Sequence, residues 1–136
     1  MERIEVSAGV VKNGRGQVLL CRRTGALDGL WEFPGGKREA GETAGECLER
    51  ELWEELELRV KAGEALGAVT QAQGERESHL TFLSAQLIGE ESALTLHVHG
   101  KAVWADVSAL EGFDLCPADR AFVEAGRFGM KEVQGE

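Results

Sequence analysis

Residues 36–58 read GKREAGETAGECLERELWEELEL, a loop that runs into a predicted helix with acidic residues at helical spacing. Thr43 and Glu46 stand three residues apart and form a capping box, which predicts that a helix begins near residue 43. Good helix formers follow without a proline. Leucines recur every fourth residue and predict the buried face of this helix: Leu48, Leu52 and Leu56.

An acidic stripe lies beside the leucines on the predicted helix. Glu51, Glu54 and Glu55 fall within an arc of about 100° at the edge of the buried face. Their mutual repulsion costs a few tenths of a kcal/mol per pair, and a hard cation that also binds phosphates removes it. Gly35 and Gly36 let the backbone approach closely and offer a carbonyl ligand. The stretch therefore predicts a divalent-metal and diphosphate site, whereas the helix alone would fit an ordinary solvated acidic face.

The spacing of this stretch resembles the Nudix box, G-x5-E-x7-R-E-U-x-E-E-x-G-U with U apolar. The matching residues are Gly36, Glu42, Arg50, Glu51, Leu52, Glu54, Glu55 and Leu58. Glu57 departs from the box, because it stands where a glycine normally ends the helix in a left-handed conformation. A non-glycine residue adopts that conformation at a cost of roughly 1 kcal/mol or more, so we expect a local change and retained chemistry. The preceding residues 31–37, WEFPGGK, resemble the MutT-like branch, including its CTP pyrophosphohydrolase-like members.

The resemblance implies an α/β fold, a Nudix α/β/α sandwich with a mixed β-sheet between helices. It implies one Nudix domain over residues 1–136. The tail after about residue 128 is polar and is expected to fray. The implied activity is Mg²⁺-dependent hydrolysis of a nucleoside triphosphate to the monophosphate and pyrophosphate, with Mn²⁺ as a substitute metal. Oxidised nucleotides such as 8-oxo-dGTP and CTP-like pyrimidine nucleotides both stay open as substrates. The alternatives are a Nudix hydrolase of ADP-ribose or a dinucleoside polyphosphate, and a Nudix module that binds a nucleotide without turnover.

The resemblance also implies which residues act at the phosphates. The implied metal ligands are the Gly35 carbonyl and the carboxylates of Glu51, Glu54 and Glu55. Glu51 is expected to act as general base as well. Glu42 and Arg50 complete the catalytic set, and we expect them to pair and hold the loop against the helix.

Four further residues are expected to bind the substrate. Arg23 and Lys37 match phosphate contacts, with ordinary surface charge as the alternative. Phe33 matches an aromatic residue of the base pocket, with plain core packing as the alternative. Asp119 matches a residue that reads the base edge, although an acid in the first turn of a helix also favours that helix. An ionised Asp accepts hydrogen bonds, so it should prefer amino-bearing edges unless its pKa is raised.

Val98 occupies a position where MutT-like sequences often carry a further Glu. The absence of that Glu is expected to lower activity or to shift the base role to Glu51. His97 and His99 flank Val98 in an alternating stretch that predicts a strand over residues 93–99. Both histidines should then face away from Val98 and form a polar strand face.

The remaining pattern predicts a sheet and a second helix. The predicted strands are residues 3–12, 17–23, 30–33, 58–73, 78–88, 93–99 and 101–107, and the predicted second helix is residues 118–127, with Pro117 in its first turn.

Composition limits the class of protein. The chain has 136 residues and a net charge of −9, which argues against a nucleic-acid polymer as partner and fits a small nucleotide bound through metal ions. We expect no membrane contact, and a monomer or homodimer. Three widely spaced cysteines without a CxxC pair predict reduced, structural thiols and a cytoplasmic protein: Cys21, Cys47 and Cys116.

Overall fold

A computed structural model describes residues 2–89 and 94–126. In these residues it contains seven strands, two α-helices and one 3₁₀ helix, Val107–Gly112. The strands are β1 (Glu2–Lys12), β2 (Val18–Arg22), β3 (Trp31–Glu32), β4 (Gly35–Lys37), β5 (Val60–Gln73), β6 (Arg76–Leu87) and β7 (Lys101–Ala105), and the helices are α1 (Ala44–Leu56) and α2 (Pro117–Glu124).

The strands form a mixed sheet in the order β3-β2-β1-β6-β5. The long central strands β1 and β6 run parallel, with Val6 opposite Leu80, and the other paired strands are antiparallel. Strand β4 pairs with the middle of β1, residues Val6–Ala8, and β7 pairs with β2. The predicted mixed sheet is therefore confirmed.

Alternating side chains of the sheet enter two separate cores. In β2, Val18 and Leu20 pack on the side of α2 with Phe122, whereas Leu19 and Cys21 pack on the side of α1. The α1 core also contains the predicted apolar stripe, and all three of its leucines are fully buried: Leu48, Leu52 and Leu56. Each helix covers one face of the sheet, which confirms the α/β/α arrangement.

The prediction of a strand over residues 93–99 is wrong for residues 94–99, and Ala93 lies outside the described residues. The amides of Thr95 and His97 do not enter a strand ladder, because they donate to the carbonyls of Leu56 and Glu55 at the end of α1. These carbonyls have no partner within the helix. Capping of the helix replaces the strand pairing that the alternating pattern indicated.

Other boundaries differ less. The sequence analysis predicted no strand over residues 35–37, yet Gly35–Lys37 pairs with Val6–Ala8 of β1. A Cβ at Gly35 would overlap the backbone of Ser7, so only glycine fits this crossing. The strand predicted over 101–107 ends at Ala105 and gives way to the 3₁₀ helix. Helix α2 ends at Glu124, and the predicted tail lies outside the described residues.

The predicted reduced cysteines are free and buried: Cys21, Cys47 and Cys116. None of the helices in the described part of the chain has the length and apolar character needed to cross a membrane.

Candidate functional site

A cavity of about 690 Å³ opens where β1, β4 and the start of α2 meet the loops after β2 and before β7. Six of the predicted site residues line it: Arg23, Phe33, Gly35, Lys37, Glu55 and Asp119. The other four, Glu42, Arg50, Glu51 and Glu54, form a cluster next to it. The cavity volume is in the range of small-molecule sites.

Arg50 is the centre of the neighbouring cluster. Its Nε lies 2.6 Å from Glu42 Oε2, and its Nη1 lies 3.0 Å from Glu51 Oε2 and 3.1 Å from Glu54 Oε1. Its Nη2 donates to the Lys37 carbonyl at 3.1 Å. The hydrogen bonds from Arg50 lower the pKa of Glu42 to about 2. The predicted pairing of Glu42 with Arg50 is confirmed, and it fastens the loop after β4 to α1.

The start of α1 follows the sequence prediction. Thr43 accepts the Glu46 amide through its hydroxyl, and Glu46 accepts the Thr43 amide through its carboxylate, which completes the capping box. The end of α1 also keeps the geometry of the box. Glu57 has φ 52° and ψ 39°, the left-handed conformation that the usual glycine would adopt.

Glu55 connects the cluster to the cavity. Its Oε1 is buried and has no hydrogen-bond partner within residues 2–89 and 94–126. Burial raises the pKa of Glu55 well above its ordinary value, and the neighbouring Glu51 carboxyl raises it further. A divalent cation would satisfy the orphaned oxygen and neutralise the paired carboxyls, so the residues here fit a metal.

Gly36 makes room for the carboxylate of Glu51. A Cβ at residue 36 would overlap that carboxylate, so glycine is required for this close approach. Among the described residues, no three His, Cys, Asp or Glu side chains are placed to hold a metal ion by themselves. Glu54 is half-exposed and turns towards Arg50. A cation here would need waters and substrate phosphates as further ligands, as Mg²⁺ commonly does.

Asp119 and Phe33 meet in the wall of the same cavity. Asp119 is buried, and its Oδ2 accepts the Phe33 amide at 2.9 Å. Burial raises the pKa of Asp119 to about 7, although the Phe33 amide opposes this shift. The Phe33 ring packs edge-to-face on Phe82 and Phe122, so the ring belongs to the core, with one side on the cavity.

The structure adds Glu32 and His99 to the cavity, and neither was predicted as a site residue. Glu32 Oε1 lies 3.0 Å from Arg23 Nη1, and Glu32 Oε2 lies 2.9 Å from His99 Nε2. Arg23 is therefore held by an ion pair in the cavity wall, whereas Lys37 is exposed at the edge. The position of Glu32 beside Phe33 was the available signal, but nothing local in the sequence indicated its partners.

The prediction that both histidines face away from Val98 is wrong for His99. Val98 and His99 line the same cavity, because their segment is not a strand. His99 is buried against Glu32, whereas His97 is exposed and lies 2.6 Å from Glu57.

Comparison with known proteins agrees with this geometry. The family model described as NUDIX domain matches residues 1–126. The CTP pyrophosphohydrolase of Escherichia coli K12 is 35% identical over 128 residues, which cover 92% of this chain and 92% of that protein. The 8-oxo-dGTP diphosphatase of Proteus vulgaris is 34% identical over 83 residues, 60% of this chain and 74% of that protein. The solution structure of the E. coli ORF135 protein superposes with a TM-score of 0.82 at 34% identity, and covers 93% of this chain and 89% of that one.

Proposed function

Because this chain belongs to the Nudix family and is a hydrolase of the MutT and CTP pyrophosphohydrolase type, we propose that it converts a nucleoside triphosphate and water to the monophosphate and pyrophosphate. The observation that carries the proposal is one cavity that is lined by Glu55, by the diglycine backbone and by Asp119. A nucleotide in this cavity would place its phosphates at Glu55 and the diglycine backbone, called the phosphate end below, and its base at Asp119, called the base end.

At the phosphate end, Glu51, Glu54, Glu55 and the Gly35 carbonyl are the proposed metal ligands. Mg²⁺ is the proposed ion, with Mn²⁺ as a substitute, since Nudix hydrolases generally use divalent ions. When bound, such an ion would neutralise phosphate charge and lower the pKa of a coordinated water. Lys37 and Arg23 offer positive charge to the same phosphates.

Glu51 is the proposed general base. Arg50 holds Glu51 Oε2 at 3.0 Å and thereby orients the other carboxylate oxygen. Glu51 would take a proton from water as the water oxygen bonds to phosphorus and the phosphoanhydride bond breaks. Glu42 would act through Arg50, because its own carboxylate is occupied by that guanidinium and by the Glu39 amide.

At the base end, Asp119 is the proposed reader of the nucleobase edge, with Phe33 as an apolar wall. An ionised Asp119 accepts from an amino group, as on cytosine, and a protonated Asp119 donates to a carbonyl. Because its pKa is raised to about 7, both forms are available near neutral pH. The relatives named for CTP and for 8-oxo-dGTP set the two substrate classes to compare.

The test is pyrophosphate release with Mg²⁺ over a panel of ordinary and oxidised nucleoside triphosphates, with ADP-ribose as the competing substrate. We expect preference for one triphosphate, loss of turnover with a chelator and recovery with Mg²⁺ or Mn²⁺. Turnover of ADP-ribose without pyrophosphate from any triphosphate would contradict the proposal. Tight nucleotide binding without any turnover would favour a binding module instead.

A further inference from the structure

Residues 94–100, here called the rim segment, form one edge of the cavity. Val98 and His99 of this segment line the cavity, and Val98 is 53% exposed. Side chains that line a cavity of this kind are placed to touch a ligand bound in it. The position of the rim segment therefore matters to anything that enters the cavity.

The rim segment is fastened to the end of α1. The amide of Thr95 donates to the Leu56 carbonyl at 2.8 Å, and the amide of His97 donates to the Glu55 carbonyl at 3.1 Å. The same helix carries Glu51, Glu54 and Glu55, so the rim segment and the acidic cluster share one rigid element.

The side chain of Glu57 adds a link that glycine cannot make. Glu57 Oε2 lies 2.6 Å from His97 Nε2, while the Glu57 backbone keeps the left-handed conformation of the box glycine. We propose that Glu57 and His97 are a positioning pair that holds the rim segment at the cavity, so that the departure from the Nudix box contributes to substrate binding. This inference rests on the proposed function.

The far end of the rim segment is fastened separately. Thr24 Oγ1 donates to the Val98 carbonyl at 2.9 Å, and the Gly100 amide donates to the Arg22 carbonyl at 3.0 Å. His99 is held by Glu32. Loss of the Glu57 link therefore loosens only the end next to α1, and the fold and the acidic cluster are retained.

The variants that test the pair are Glu57→Gly, Glu57→Gln and His97→Ala, with His79→Ala as the matched control. His79 contacts Thr70 on the β5–β6 pair and does not line the cavity. Glu57→Gly restores the box residue and removes left-handed strain, so its Tm should equal or exceed that of the wild type. We expect Glu57→Gly and His97→Ala to raise KM about fivefold with kcat within twofold, since one hydrogen bond of ordinary strength is lost. Glu57→Gln keeps an acceptor for His97, so Glu57→Gln and His79→Ala should stay close to wild type.

A second measurement, amide hydrogen exchange, reports on the rim segment and does not require turnover. In Glu57→Gly, the amides of Thr95 and His97 should exchange with deuterium severalfold faster than in wild type, and the Gly100 amide should not change. Unchanged KM and unchanged exchange in Glu57→Gly would overturn the inference. If the wild type hydrolyses no nucleotide, the proposed function fails, and the exchange rates of Thr95 and His97 still decide whether Glu57 holds the segment. A parallel fall in Tm and kcat without a KM change would mean a structural role only, and would also overturn it.

Discussion

The carboxylates around Arg50 and the carboxylates in the cavity have opposite surroundings. Arg50 donates to Glu42, Glu51 and Glu54, and the pKa of Glu42 falls to about 2. Asp119, in the cavity, is buried without a comparable cation, and its pKa rises to about 7. Burial raises the pKa of Glu55 as well. Arg50 supplies a counter-charge to the first group, which is called the neutralised side below although one guanidinium offsets only part of its negative charge. The second group needs a proton, a metal or a ligand from outside.

This contrast separates a structural ion-pair cluster around Arg50 from a reaction site in the cavity. A carboxylate that is already paired gains little from a further partner, whereas a desolvated one gains much when a cation or donor arrives. Glu51 and Glu54 belong to both groups, since each contacts Arg50 and each is a proposed metal ligand. Glu51 also raises the pKa of Glu55.

The largest effect is expected from Glu55→Gln. The substitution keeps the shape of the side chain and removes the charge that the orphaned Oε1 offers to a cation. Turnover should fall by roughly 100-fold or more, because several kcal/mol of metal-derived stabilisation are lost. Steady-state pyrophosphate release at saturating Mg²⁺ measures this.

The control for Glu55→Gln is Glu49→Gln on the same helix, whose carboxylate accepts the Ala62 amide outside the cavity. It should keep turnover within about twofold, since an amide oxygen accepts the same bond. Equal activity of Glu55→Gln and wild type would remove Glu55 from the site.

Gly36→Ala should give the next largest effect. The added Cβ would overlap the Glu51 carboxylate, which must move away while Arg50 still holds it. A displacement of about 1 Å in a catalytic group costs up to ~100-fold in rate, so we expect a loss of roughly 10- to 100-fold. Gly14→Ala is the control, because a Cβ there meets nothing within 4 Å. Wild-type kcat in Gly36→Ala would show that the position of Glu51 does not limit the reaction.

Arg50→Lys tests the neutralised side. Lysine keeps the positive charge, but its ammonium group cannot donate to three carboxylates in the way that the planar guanidinium of Arg50 does. The free energy of unfolding at pH 7 should therefore fall by about 1 to 3 kcal/mol. Urea unfolding measures this free energy. The control is Arg76→Lys, because the ion pair of Arg76 with Glu2 is exposed, and it should change stability by less than about 0.5 kcal/mol.

The pH dependence of the free energy of unfolding tests which contact of Arg50 stabilises the fold. The pKa of Glu42 is lowered from 4.5 to about 2 in the folded state, so its stabilisation is present above pH 4.5 and is lost as the pH falls towards 2. The difference between Arg50→Lys and wild type should therefore shrink over that window. A difference that stays constant down to pH 2 would mean that the Glu42 contact is not what Arg50 contributes.

The neutralised side was the part of the site that sequence could predict. Its residues lie within one helix and the loop before it, so their spacing alone places Glu42, Arg50 and Glu54 near one another. The capping box and the three buried leucines follow from the same local rules.

The cavity side depends on long-range packing, and sequence reasoning was weaker there. Asp119 meets Phe33 across 86 residues, and His99 meets Glu32 across 67. The alternation in residues 93–99 predicted a strand, but nothing local indicated that the free carbonyls of α1 would take the amides of Thr95 and His97.

Asp119→Asn tests the cavity side, with the smallest expected effect. Burial raises the pKa of Asp119 from 3.8 to about 7, with Glu32 acting in the same direction and Arg23 and the Phe33 amide opposing it. The folded state therefore keeps a proton that the unfolded chain loses between about pH 4 and pH 7. Wild-type stability falls over this window as the pH rises, and the variant lacks that fall.

The asparagine oxygen still accepts the Phe33 amide, but this bond is weaker than one to a carboxylate. With the weaker hydrogen bond to the Phe33 amide included, Asp119→Asn should be more stable than wild type by about 1 kcal/mol at pH 8. At pH 4 it should be equally or less stable. Urea unfolding at both pH values measures the crossover, with the exposed Asp28→Asn as the control. Parallel stability curves for wild type and Asp119→Asn would mean that Asp119 stays ionised throughout. It would then belong with the neutralised carboxylates, and the base end of the cavity would offer only an acceptor.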